Sequence, residues 1–173
     1  MTGVGSTGKD GGPACAAGSR RGAARVAAVQ ALYQIDITGA PVATVLREFS
    51  DFRLEGGAGD AVDRALFADV VRGAIDAGAD LDAMIAPVLV EGWAMERLDR
   101  VLRAILRAGA YELSARRDVP PRVAINEYVN VAHAFFDGRE SRIVNGVLDR
   151  LAHTLRAEEM AERGDSGGGA ARL

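Results

Sequence analysis

The chain is short of sulfur, of lysine and of aromatic rings, and each shortage closes a line of explanation. Among 173 residues there is one cysteine, Cys15, which excludes an intrachain disulfide and a thiolate metal cluster. The only histidines, His133 and His153, belong to no H-E-x-x-H or Cys/His metal pattern and read as helix-surface residues. There is no G-x-x-x-x-G-K-[ST] phosphate loop and no G-x-G-x-x-G between a strand and a helix. No apolar run approaches the ~18 residues of a membrane span. No apolar stretch follows the first basic residues as a signal peptide would require, so the expected location is the cytoplasm. No metal, cofactor or catalytic residue is expected.

Apolar residues make up 49% and charged residues 26% of the chain, which suits one ordinary globular domain and excludes a wholly disordered chain. The net charge of −3 hides a segregated pattern. Residues 1–25 carry +3, residues 26–96 carry −8 and residues 97–117 carry +4. Residues 118–156 balance, and residues 157–173 carry −2. All basic residues but Lys9 are arginine, the side chain suited to bidentate phosphate contacts and to stacking on bases. Two basic islands in an acidic chain point to a local anionic partner. A GC-rich genome accounts for the arginine and alanine content equally well.

Helical periodicity runs through the body, about 20–160, with no convincing alternation of period two. The first helix is expected from Ser19 or Arg20 to Thr38, with Val26, Val29, Tyr33 and Ile37 as its apolar stripe and Gly39 as its cap. A second runs from Pro41 to about Leu54. Asp60 is positioned to cap a third, which kinks near Gly78 and leads into a short amphipathic segment around Leu81–Leu89. A further helix spans Met95–Arg116 and stops before Pro120-Pro121. The last two cover about Arg122–Phe136 and Glu140–Arg156. Both ends of the chain, 1–19 and 157–173, read as disordered, the first a basic Gly/Ala-rich arm.

On the helix after Met95, with Arg97 set at zero, Arg100, Arg103, Arg107 and Tyr111 fall at about 300°, 240°, 280° and 320°, opposite an apolar arc at about 40°–180°. Arginines can pair with phosphates and a tyrosine can stack on an unpaired base. The alternative is a solvated charged face. Glu112 falls inside the apolar arc, where a carboxylate must be paired. No second carboxylate or histidine at helical spacing makes it a catalytic acid, so a structural pair is the better reading. Arg20, Arg21 and Arg25 lead the first helix, where cations oppose the macrodipole; such an arm is often an anion-binding device. A frayed soluble end is the plain alternative.

Four stretches then occur in a recognisable order: Ala28-Val-Gln-Ala-Leu-Tyr33, Ala104-Ile-Leu-Arg107 with Tyr111-Glu-Leu113, Val119-Pro120 with Val123-Ala-Ile-Asn-Glu127, and Val144-Asn-Gly-Val-Leu-Asp149. Together they resemble the signature segments of the NusB transcription antitermination family, over about residues 20–156. The resemblance implies an all-α fold of two small helical bundles packed roughly perpendicular, with six to seven helices. It implies a non-enzymatic factor that binds single-stranded box A of nascent rRNA together with Nus factor E, a small-subunit ribosomal protein. Such a factor acts on the RNA polymerase elongation complex and supports rRNA transcription and ribosome assembly. Carried over by position, Arg20, Arg21, Arg25 and Tyr33 would contact RNA, Arg103 and Arg107 would extend that surface, and Asn145 would lie in another part of it. The two basic stretches would then converge into one track. Ile143 stands where the family usually has an aromatic residue, and Arg139 where relatives often have an acidic one. Some family members form homodimers, and the sequence leaves self-association open. Two other readings stay on the table: a targeting module like that of rRNA 5-methylcytosine methyltransferases, and a helical module that binds only protein.

Overall fold

A computed structural model describes residues 19–53 and 62–162. The expected arm at 1–19, apart from Ser19, the cap at Asp60 and the residues beyond 162 lie outside the described residues. Within them the chain is all-helical.

Helix α1 (Arg20–Thr38) begins where Ser19 accepts a hydrogen bond from the Gly22 N–H at 2.9 Å and ends at Gly39, whose φ of 66° is the left-handed cap expected of glycine. Its buried face is mostly small: Ala24, Ala27, Ala28 and Ala31 sit beside Val26, Val29 and Leu32. The predicted stripe runs off the core at its far end, because Tyr33 is 38% and Ile37 51% exposed. Helix α2 (Val42–Glu48) passes into a π turn at Phe49–Arg53, and Phe49 stacks on Phe67 with ring centres 5.6 Å apart.

Helix α3 (Arg64–Asp76) is capped by Asp63, whose carboxylate accepts from the Leu66 N–H at 2.9 Å. At Ala77 the chain breaks rather than kinks, and α4 (Gly78–Ile85) follows. Helix α5 (Arg100–Ala115) starts five residues later than the periodicity indicates. Met95–Arg97 form a separate 3₁₀ turn, Leu98 is extended, and Asp99 caps the helix by accepting from Val101 and Leu102. Pro121 opens α6 (Pro121–Phe135), and α7 (Arg139–Leu155) follows.

Two expectations are corrected. There are eight α-helices among the described residues rather than six or seven. The chain also does not lose its structure at 157: α8 (Ala157–Ala161) folds back and buries Met160 to 3% exposure. Its anchor is Arg156, itself 2% exposed, whose guanidinium donates to the Val119 carbonyl at 2.7 Å and to the Glu159 carboxylate. A lone methionine among charged residues gives little periodicity to read.

Helix α5 is the hub. Leu102, Ile105, Leu106, Ala108, Ala110 and Leu113 are all but fully buried, each large one contributing about 1.5–3 kcal/mol. The helix packs on α1, α3 and α4 on one side and on α6 and α7 on the other. Gly109 lets α7 come close: a Cβ there would stand 2.7 Å from a Leu148 methyl. Arg25 meets Glu112, while Asp36 meets Arg100 and Arg103, so α1 and α5 run antiparallel.

Candidate nucleic-acid interface

The antiparallel seam of α1 and α5 decides what each predicted contact residue can do. Arg25 is not on the surface. It is 2% exposed, its Nε donates to Glu112 Oε2 at 3.0 Å, and its Nη1 donates to Glu127 Oε2 at 3.3 Å. Its guanidinium lies 6.0 Å from the centre of the Tyr128 ring. Glu112, fully buried, also accepts from the Tyr128 hydroxyl at 2.9 Å. Burial pulls the Arg25 pKa down, but Glu112, then Tyr128 and Glu127, push it up further, and the net shift is upward. This is a closed core network with every member satisfied, so the structural reading of Glu112 holds and Arg25 leaves the contact surface. Arg25 shares an arc with Ala28 and Leu32, and that placement was the available signal.

The outward face of α5 is also covered. Arg107 grips Asp82 of α4 with both ends of its fork, at 2.7 and 2.6 Å, and that hydrogen bonding raises its pKa. Arg103 donates to Asp36 of α1 at 3.0 Å, and Arg100 donates to the same oxygen at 3.2 Å. Tyr111 is half-buried, and its hydroxyl donates to Asp69 of α3 at 3.1 Å; burial first and Asp69 second raise its pKa. Arg116 bridges Asp69 and Asp118, each at 2.9 Å. A helical wheel finds the polar side of α5 but not what packs on it. All of these partners but Asp118 come from the acidic segment 26–96, so the two charge blocks largely meet each other.

Arg20 and Arg21 are exposed at the start of α1, and Arg21 lies 3.6 Å from Asp63. They sit about 22–24 Å along α1 from Asp36, at ~1.5 Å per residue. Arg103 thus lies toward the other end of α1 from Arg20 and Arg21, while Arg116 of the same stretch holds the Asp118 carboxylate on which Arg21 also acts; along the expected track Arg103, Arg107 and Arg116 are each held by a carboxylate. Asn145 is exposed on α7.

Between those ends lies a feature that the wheel did not predict. Tyr33 stands in a groove of about 510 Å³ with Val29, Gln30, Ile37, Val101 and Phe135. An aromatic face, an apolar floor and a side-chain amide are the groups an unpaired base needs. Arg139, next to this end of α6, is turned to the ring of Trp93, 5.1 Å away. Among the described residues no group of three or more His, Cys, Asp or Glu could hold a metal ion, and no helix is long and apolar enough to cross a membrane.

Fold and surface together define an all-helical module with a core-locked α1–α5 seam and an aromatic groove beside it. The model described as the NusB family matches residues 22–153, and the chain belongs to that family. It is 50% identical over 147 residues to the transcription antitermination protein NusB of Nitrobacter hamburgensis, covering 83% of this chain and 92% of that one. It is 49% identical to the protein of that name from Caulobacter vibrioides, over 79% of this chain and 94% of the other. Among solved structures, T. maritima NusB overlays with a TM-score of 0.68 at 27% identity, covering 80% of this chain and 95% of that one. A NusB solved with NusE and double-stranded RNA shares the fold, with a TM-score of 0.67 at 23% identity over 78% and 97% of the two chains.

Proposed function

We propose that this chain is a non-catalytic transcription antitermination and termination factor. It binds single-stranded box A of nascent rRNA together with Nus factor E, acts on the RNA polymerase elongation complex, and supports rRNA transcription and ribosome assembly. Family membership supports the class, and the observation that carries the RNA reading is Tyr33, 38% exposed in its groove. Bases stack there; Arg20 and Arg21 take phosphates at one end of α1, and Arg103 and Asn145 offer polar contacts elsewhere on the surface. Arg25 acts from the core, and Arg107 is held by Asp82.

The test is fluorescence anisotropy with a single-stranded box A RNA, with and without Nus factor E, at two salt concentrations. Tyr33→Ala is expected to weaken binding by about five- to 150-fold, the cost of about 1–3 kcal/mol per stacked base. Unchanged binding would remove the groove from the interface. No RNA binding under either condition would leave a module that recognises only protein.

A further inference from the structure

The ion pairs on α5 differ in how firmly they are made. Arg107 and Asp82 use two oxygens and two short bonds. Arg100 and Arg103 instead share a single carboxylate oxygen of Asp36, at 3.2 and 3.0 Å, and Arg100 also donates to the Asp36 backbone carbonyl at 3.2 Å. All three side chains are solvent-accessible: Arg100 is 54%, Arg103 20% and Asp36 30% exposed. Exposed pairs of this kind contribute little, because water and salt screen them and both side chains lose freedom. A phosphate offers more acceptor oxygens than one shared carboxylate oxygen, in a geometry that guanidinium forks match. Around the three guanidinium groups stand two carboxylates, which leaves one positive charge uncompensated.

The same residues frame a cleft of about 300 Å³ between α1, α3 and α5. Leu32, Ile35 and Ile75 form part of its apolar lining, and Arg100, Arg103 and Arg107 line it with Asp36. Charge at the mouth over an apolar floor suits a nucleotide, with its phosphate outside and its ring within.

We infer that Arg100 and Arg103 form a backbone-phosphate site for single-stranded RNA, and that Asp36 occupies it until the strand arrives. Asp36 keeps the two forks aimed at the cleft mouth and competes with the incoming phosphate. It sets a threshold: weak polyanions do not displace it, and a strand already seated on the Tyr33 groove does. The inference rests on the RNA reading above and adds a residue that opposes binding.

The perturbation is Asp36→Asn, which keeps the shape and removes the charge. Affinity for a single-stranded box A RNA is expected to rise about three- to tenfold at 50 mM salt, and the salt slope to steepen by about 0.7, one further phosphate contact on a single strand. Glu158→Gln removes the same charge from α8, beyond the opposite end of α5, where screening over about 8–10 Å isolates it. Its effect on affinity is expected to be less than half as large. Arg103→Gln in the Asp36→Asn background is expected to cancel the gain. Asp36→Asn binding no tighter than the parent, or Glu158→Gln matching its gain, overturns the inference while the parent's own binding leaves the RNA reading standing. A parent chain that binds no RNA, alone or with Nus factor E, overturns both.

Discussion

Replacing Arg25 with methionine should unfold this protein more readily without touching its RNA surface. Methionine keeps most of the aliphatic packing and deletes the charge. Glu112 is then left fully buried with only the Tyr128 hydroxyl as a donor from the network. Breaking a buried pair by removing one partner costs about 3–5 kcal/mol. Against a total stability of about 5–15 kcal/mol that is a large fraction. For a body of this size it lowers Tm by roughly 10–20 °C. Urea and thermal unfolding followed by circular dichroism at 222 nm measure it. The companion variant is Arg25→Met with Glu112→Leu. Removing both charges leaves no ion stranded, so the double variant should recover at least about 1.5 kcal/mol relative to Arg25→Met alone. RNA affinity, measured well below the melting range of each variant, should stay within about twofold of the parent, because Arg25 presents no surface. A single variant within about 1 kcal/mol of the parent, or a double variant as unstable as the two single changes added, would refute the network's role. A folded Arg25→Met protein that loses RNA binding would restore Arg25 to the interface.

The same network sets the alkaline limit. Burial first, and the Glu112 charge second, raise the Tyr128 pKa well above its ordinary value of 10.0. A group whose folded-state pKa is raised contributes stability that is whole below its unfolded value and is lost as pH rises through the folded one. Stability should therefore fall above about pH 10, and Tyr128→Phe should make that fall shallower at a cost near neutrality of about 1.5–3 kcal/mol for one bond to a buried carboxylate. Urea titrations at pH 7 and above pH 10 check both, and an unchanged alkaline slope would exclude Tyr128 as the cause. Arg156→Ala should release α8 while leaving the hub intact. Hydrogen exchange across 157–161 would then rise by orders of magnitude with α5 still protected, whereas retained protection would mean that Met160 alone holds the segment.

Some of this was legible in the sequence, and what was legible was local. Ser19 and Gly39 bracket α1 because capping is decided within three or four residues. Pro120-Pro121 fixes the α5–α6 junction for the same reason, since proline acts on its own φ and on its neighbour. Glu112 stood out as a carboxylate in an apolar arc, but its partner lies 87 residues away, and periodicity within a helix carries no information about that distance. Met95 misled because Met95, Leu98 and Leu102 keep an apolar spacing through a 3₁₀ turn and an extended residue, and Asp99 is the stronger start signal. Tyr33 was drawn into a buried stripe and is 38% exposed, because Ala24, Ala27, Ala28, Ala31 and Leu32, mostly smaller than the stripe assumed, carry the buried side of α1; its place as an RNA contact came from the resemblance alone.

The charge pattern was the subtlest signal, and its meaning changes once the helices are packed. An acidic block of −8 beside a basic block of +4 looks like a partner surface and its counterweight. In the fold, Asp36, Asp69 and Asp82 from the first block pair with Arg100, Arg103, Arg107 and Arg116 from the second. Segregated charge here docks α1, α3 and α4 onto α5. The consequence is quantitative. If Arg103 and Arg107 were free, they and the arginine pair at the start of α1 would release counterions at four phosphates, a salt slope near 3 at about 0.7 per contact. With Arg107 held by Asp82, and with Arg100 and Arg103 gaining a phosphate only by giving up Asp36, which then takes up counterions itself, only Arg20 and Arg21 count in full, and the slope of the unmodified protein should lie near 1.4 by the same estimate. A measured slope of 3 or more would mean that Arg103 and Arg107 release counterions as if no carboxylate held them.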